Sequence, residues 1–398
     1  MKAIVYTLSS ALHDAKRVDE HARQFIESIQ KHANTELVMV SEPKHFWTAD
    51  TLNFLFVLTG GTEGQFASRL ASGVFTNKPV YIITSGVDNS LAASMEILSY
   101  LNSKGMTGEI LHGSAEYIAS RIDSIARTTQ ATEWLKGKKL GVVGEPSDWL
   151  ISSTVDEKVL LEKTGLTLCR IPMEELLEAM PETPSPETIC KLKRCDSAYF
   201  NGALCIYEGL RKLIDRYNLA GLTLRCFDLL TSVRNTGCLA LALLNKEGIP
   251  SACEGDIPTL ITMMVSKALF GVSGFQCNPS LIDPEKETVI FAHCTIPLDM
   301  ISDYVYDTHF ESGIGVALHG MMPEGPATLF KISGDLTRFY AQDVDIIENQ
   351  YDKNRCRTQI LLHAPDCDKY FFRHPIANHH VVVSGHHARE IEQFMSNL

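Results

Sequence analysis

The sequence predicts an α/β protein: two Rossmann-like parallel-sheet domains followed by a β-rich, barrel-like C-terminal domain. Three observations carry this. Short apolar runs alternate with helical periodicity from the N-terminus to about residue 275. The apolar runs end in Gly-containing loops that lead into helices. From Gln276 onward helices become scarce, and strand-like runs are separated by Gly-, Pro- and Asp-rich turns. The expected divisions are residues 1–135, 136–275 and 276–398.

Ala3 to Tyr6 reads as a first strand and Val18 to His32 has helical spacing. Strands are expected at Glu36 to Val40, Leu52 to Leu58 and Pro79 to Thr84. The second of these ends in Thr59-Gly60-Gly61-Thr62-Glu63-Gly64, with a helix expected through Phe66, Leu70 and Val74. Such a loop either holds an anion on helix-start amides or is simply a tight turn. It matches neither a Walker loop nor GxGxxG. Lys136-Gly137-Lys138-Lys139 marks a joint, and Leu140 to Val143 opens the second domain. Strands follow at Thr167 to Ile171, Ala198 to Asn201, Leu222 to Phe227 and up to Glu254, with a helix at Gly237 to Asn245. In the last region the expected strands are Glu287 to His293, Ala327 to Ser333, Arg357 to Leu362 and His380 to Ser384. A helix at Ala388 to Phe394 closes the chain.

Composition narrows the function. With 398 residues the chain can bury large cores, and 45% hydrophobic residues is ordinary for a soluble protein. A net charge of −12 without a basic run argues against nucleic acid. No apolar run is long enough to span a membrane, and the N-terminus reads as a strand rather than a secretory peptide. Eleven cysteines without a CxxC pair point to reduced thiols in a cytoplasmic protein.

The stretch Ser251-Ala252-Cys253-Glu254-Gly255-Asp256-Ile257-Pro258 puts an acid where a strand stops and a helix begins. That is the carboxyl-end crevice where ligands bind in α/β sheets. The same acids also suit helix capping. The loop Gly144 to Trp149 lies at a comparable strand end, where Ser147 and Trp149 either face a polyol or form a packed turn. Nine of the 14 histidines, His293, His309, His319, His363, His374, His379, His380, His386 and His387, fall in the C-terminal region. Histidines with a carboxylate are a usual donor set for a catalytic divalent ion. No HExxH helix is present, so such a site must be assembled from distant segments. Asp307 to Gly315 adds His309 and Glu311 in a Gly-containing loop, read either as a sugar contact or as a capped turn. Lys331, Arg338 and Arg357 read as solvated strand positions, with hydroxyl or carboxylate binding as the alternative.

Taken together, Ser251 to Asp256, Asn278, Phe291-Ala292-His293-Cys294-Thr295, Asn378-His379-His380 and Gly385-His386-His387 resemble the L-fucose isomerase and L-arabinose isomerase superfamily, in particular its short fucose-isomerase-like branch. The resemblance is carried by the Glu254 segment and the C-terminal third. It implies a metal-dependent aldose–ketose isomerase acting through an enediol(ate), with Mn²⁺ or another divalent cation. It also implies a sugar substrate and a homo-oligomer, trimer or hexamer. Glu254 then takes the place of a metal ligand and acid/base, and His379 that of a histidine ligand, with His380 the alternative register. Asn278 stands where the family has a catalytic, metal-binding Asp, and His293 where the arabinose isomerases have a further ligand. Trp149, His309, Glu311, Asn378 and His380 are the implied substrate contacts. Asparagine offers a carbonyl oxygen to a metal but is no base near neutral pH. Asp283 or Asp256 is therefore a candidate for the missing acid. A non-catalytic carbohydrate-binding protein, or an epimerase or lyase on the same fold, remains the alternative.

Overall fold

The computed structural model describes residues 1–40, 51–73, 79–193 and 195–398. The chain divides into two compact units, residues 1–130 and 131–396. The first unit is a five-stranded parallel sheet in the order β2-β1-β3-β4-β5 (β1 Lys2–Leu8, β2 Glu36–Val40, β3 Leu52–Val57, β4 Val80–Thr84, β5 Gly108–Leu111). Its central strand β3 is buried at every position because both faces carry helices. Phe54 and Phe56 pack on one side with Ile118, Ile122 and Ile125. Leu55 and Val57 pack on the other with Phe66, Ile97 and Leu101. The helix after β3 runs Glu63–Ala71, so Phe66 and Leu70 lie on it and Val74 lies outside the described residues. In the preceding loop the Thr59 hydroxyl accepts from Ser10 N, and the Gly60 amide donates to Asp88 O. These two groups serve the turn itself rather than an anion.

The second unit holds a parallel sheet and a barrel. The sheet order is β7-β6-β8-β9 (β6 Lys139–Val143, β7 Thr167–Ile171, β8 Leu219–Leu224, β9 Ser251–Cys253). Strands β10 Phe275–Asp283, β11 Thr288–His293, β14 Gly325–Ile332, β15 Phe339–Asn349, β16 Thr358–His363 and β17 His380–Ser384 close an antiparallel barrel in the order β10-β11-β16-β15-β14-β17. The pair β12 Asp303–Asp307 and β13 Ala317–Met321 stands apart as a two-stranded sheet. Strand alternation decides what each barrel face meets. Phe275, Cys277, Phe291, Leu329 and Val382 belong to one core. Their neighbours Phe330, Ile332, Val381 and Val383 pack instead with Leu260, Ile261 and Met264 of the helix Ile257–Phe270. That helix is sandwiched, which explains its apolar residues all round.

The two-sheets-plus-barrel architecture is the one the sequence predicts, with local corrections. Residues 198–201 form the turn and first residues of the helix Phe200–Tyr217, not a strand. Phe200, Ala203, Leu204 and Leu210 face the core at helical spacing, and that longer period outweighs a four-residue apolar run. The strand expected at 222–227 lies earlier, at Leu219–Leu224. Strands β5, β10, β12, β13 and β15 carried no clear apolar run. In β15 only Val344 and Ile346 are buried, because it turns most of its residues to solvent. Lys331 is fully buried rather than solvated.

The turn after β9 is the tightest backbone approach in this sheet. Glu254 and Gly255 both have positive φ, 65° and 71°. A Cβ on Gly255 would lie 2.7 Å from Pro146 Cα and 2.8 Å from Glu145 O, both backbone atoms that cannot swing aside. Gly255→Ala is expected to cost on the order of 2–4 kcal/mol in urea unfolding, from the left-handed penalty plus the clash. A loss below about 0.5 kcal/mol would contradict the described approach of the two loops.

Candidate metal centre

The site is built where β9 ends, one face of the barrel begins and the loop after β6 crosses over. Pro258 at the first turn and Asp256 at the cap start the helix Ile257–Phe270, with Asp256 Oδ1 accepting from Thr259 N at 2.8 Å. So the capping expected of Asp256 is real, and it leaves Oδ2 free to face the barrel. There Oδ2 meets His379 Nδ1 at 2.8 Å. Lys331, reaching in from β14, donates to Thr259 Oγ1 at 2.6 Å and sits 3.7 Å from Asp256 Oδ2. Asp256, Lys331 and His379 are all completely buried.

Glu254 lies on the other side of His379. Its Oε1 is 3.4 Å from His379 Nε2 and 3.8 Å from His293 Nε2. Its Oε2 accepts from Trp149 Nε1 at 2.7 Å. Two backbone devices hold this carboxylate in place. Ser147 N donates to Glu254 O at 3.0 Å, tying the β6 loop to the turn. Gln276 on β10 clamps the preceding residue, its Oε1 accepting from Cys253 N at 2.7 Å. Sequence reading missed Gln276. A lone glutamine in a strand carries no pattern, and only the folded chain brings its side chain to the end of β9.

One donor atom each from Glu254, His293 and His379 lie within 4.8 Å of one another. Two buried polar atoms there lack a hydrogen-bond partner, His293 Nδ1 and His379 Nε2. Buried polar groups are seldom left unpaired, so an orphaned His379 Nε2 facing the Glu254 carboxylate, beside a second histidine, fits a cation. The electrostatics are consistent. Burial pushes His293 down to about 3, helped by the charge on His379, so its ring is neutral and has a lone pair. Burial also works against a charge on His379, but Asp256 and then Glu254 outweigh it and push it up to about 9. Burial would raise Glu254, yet His379, His293 and the Trp149 N–H hold it at about 2. Asp256 is likewise held well below the usual carboxylate range, because Lys331 and His379 outweigh its burial. The result is a carboxylate–imidazole–donor line in which Asp256 fixes the ring of His379 and leaves Nε2 pointing at Glu254. A cation held there by Glu254, His293 and His379 would take the place of the Nε2 proton.

The tandem at 379–380 is resolved by strand geometry. His380 begins β17 and faces the opposite way, among Phe291, Tyr340, Tyr370 and Phe371. Its ring nitrogens already have partners, Tyr370 Oη at 2.8 Å and Asn378 O at 3.0 Å. Asn378 itself is exposed. Asn278 sits opposite Ala292 on β11, one step beyond the Cys277–His380 pair and hence towards His379. Its Oδ1 is another buried atom without a partner. Asp283 is at the far, hairpin end of β10, bound to Lys286 at 3.0 Å, so it does not supply the missing acid. Trp149 packs edge-on against Phe227, and Phe227 against His309. His309 Nδ1 is paired with Ser312 Oγ at 3.0 Å. Partial burial, and after it the charge of Glu254, push the Glu311 carboxyl up. The Arg357 guanidinium is tied down by Thr308 O at 2.7 Å.

Comparison with known proteins agrees in outline. The chain is 24% identical to a sulfoquinovose isomerase of Priestia megaterium over 212 residues, covering 49% of this chain and 47% of that protein. It is 25% identical to one from Clostridium sp. over 191 residues (45% and 42%), and 24% identical to one from Alkalicoccus urumqiensis over 220 residues (52% and 49%). The chain spans about half the length of the curated relatives it matches. No family model matches it.

Asp256→Asn is expected to destabilise the fold by about 3–5 kcal/mol, because it leaves the Lys331 ammonium buried without its counter-charge. Adding Lys331→Met to that variant should recover at least ~1 kcal/mol. Chemical denaturation of the two variants checks this, and a double variant no more stable than Asp256→Asn would contradict the pairing.

Proposed function

We propose that the protein is a metal-dependent sugar isomerase that interconverts an open-chain aldose and its ketose through an enediolate. The observation that carries this reading is the buried convergence of Glu254, His293 and His379, with Asp256 behind His379. Isomerisation moves a proton between adjacent carbons of a weak carbon acid. Glu254, ionised and pinned by Trp149, would take that proton and return it. Glu254, His293 and His379 would hold a divalent cation such as Mn²⁺, which would stabilise negative charge developing on the two sugar oxygens. Trp149 fixes the carboxylate's orientation through its indole N–H. His309 and Glu311 stand on the loop beyond Phe227 as candidates for hydroxyl contacts, and the raised Glu311 carboxyl suits a proton donor.

The similarity to sulfoquinovose isomerases supports a sugar substrate and makes a sulfonated aldose the first to try. The family resemblance supports a homo-oligomeric assembly, and the unpaired cysteine pattern supports the cytoplasm. Among the described residues no helix is long and apolar enough to cross a membrane. Asn278 favours a second reading. It replaces an acid by an amide at a position beside His379. A carbohydrate-binding protein without turnover, or an epimerase or lyase that needs one base, would fit that replacement.

The test is turnover of sulfoquinovose and a panel of aldoses by the Mn²⁺-loaded protein. Glu254→Gln should lower kcat by at least ~10³-fold, and equal rates for the two proteins would sink the proposal. Solvent deuterium entering the sugar without ketose formation would favour the epimerase or lyase. His379→Gln should weaken Mn²⁺ binding in calorimetry by about 10–100-fold, whereas His380→Gln, facing the aromatic cluster, should leave it unchanged.

A further inference from the structure

One pair of side chains beside the site has no part in the chemistry above. Cys226, just past β8, and Cys253, the last residue of β9, face each other with their sulfurs 3.0 Å apart. Both are buried, at 4% and 3% exposure. Strands β8 and β9 are hydrogen-bonded neighbours, with Leu224 opposite Cys253, which brings the turn carrying Cys226 beside it. The separation is about 1 Å more than a disulfide bond of ~2.05 Å. Closing it needs a small shift of two side chains that already point at each other. We propose that Cys226 and Cys253 form an oxidation site, closing to a disulfide that disables cation binding at Glu254.

The reaction balances with a hydroperoxide as oxidant. One thiol sulfur attacks the peroxide O–O bond, giving a sulfenic acid and releasing water or an alcohol. The second sulfur then displaces the sulfenic hydroxyl as water, forming the S–S bond. Two thiol protons leave, two sulfurs are oxidised and one peroxide is reduced. Access selects the oxidant. Both sulfurs lie just below the surface, so a small peroxide reaches them where a bulky disulfide does not.

Consequence follows from position. Cys253 immediately precedes Glu254, whose backbone is held in the left-handed region. The amide of Cys253 is clamped by Gln276 on the barrel strand β10. Drawing the Cys253 side chain towards β8 pulls against that clamp and turns the Glu254 carboxylate away from His293 and His379. This consequence rests on the metal-centre reading, while the disulfide itself does not.

The experiment treats the full chain with hydrogen peroxide, blocks remaining thiols, and maps cross-linked peptides by mass spectrometry without reduction. Mn²⁺ binding is followed by calorimetry on the same samples. The expected result is a Cys226–Cys253 cross-link and at least a tenfold loss of Mn²⁺ affinity, both reversed by dithiothreitol. Cys226→Ser and Cys226→Ala should bind Mn²⁺ like the reduced wild type and no longer respond to peroxide. Oxidised glutathione should give no cross-link. A peroxide-treated chain whose other cysteines are oxidised while Cys226 and Cys253 stay unlinked would overturn the proposal. So would a complete cross-link with unchanged Mn²⁺ affinity. If the reduced protein takes up no Mn²⁺, the metal reading falls, and the cross-link map alone decides the oxidation site.

Discussion

The second unit depends on one buried carboxylate. Asp256 caps the helix Ile257–Phe270 through Oδ1 and orients His379 through Oδ2, with the Lys331 ammonium alongside. Each role needs the others. The cap fixes the side chain, and a fixed side chain gives the imidazole a defined partner. Lys331 offsets the cost of keeping a carboxylate out of water. Because the helix is packed against the barrel on the face of Phe330, Ile332, Val381 and Val383, Asp256 also couples sheet and barrel. The candidate metal centre is thus joined to the core.

Strain concentrates two residues upstream. A glutamate at φ 65° adopts a conformation that L-residues disfavour by roughly 1–2 kcal/mol. A capping acid has no need of it. The left-handed Glu254–Gly255 turn aims the Glu254 carboxylate across the sheet towards His293 and His379, while the Trp149 indole and the Ser147 amide keep it there. Cost in the backbone and precision at the donor atoms are two sides of one arrangement.

Much of this was legible in the sequence, for identifiable reasons. The strand–Gly–Asp–Pro signature at 251–258 announced a strand end and a capped helix. The histidine-rich third region announced that distant segments would meet. The buried parallel strands were read from continuous apolar runs, which need no long-range information. What stayed hidden depends on register. Nothing local distinguishes His379 from His380, because the choice is made by which face of β17 meets the helix. Lys331 looked solvated since lysine almost always is. Its burial follows from Asp256, 75 residues earlier, which a linear reading does not place beside it. Gln276 and the mostly solvent-facing β15 were invisible for the same reason.

The account's central claim is that Glu254, His293 and His379 together hold a divalent cation. Anomalous diffraction at the manganese edge, from crystals of the protein grown with Mn²⁺, tests it most directly. The predicted result is a single strong peak within bonding distance of a Glu254 carboxylate oxygen, His379 Nε2 and a ring nitrogen of His293. The peak should be absent in Glu254→Gln. No peak among these residues at saturating Mn²⁺, or a peak held by other side chains, would contradict the account.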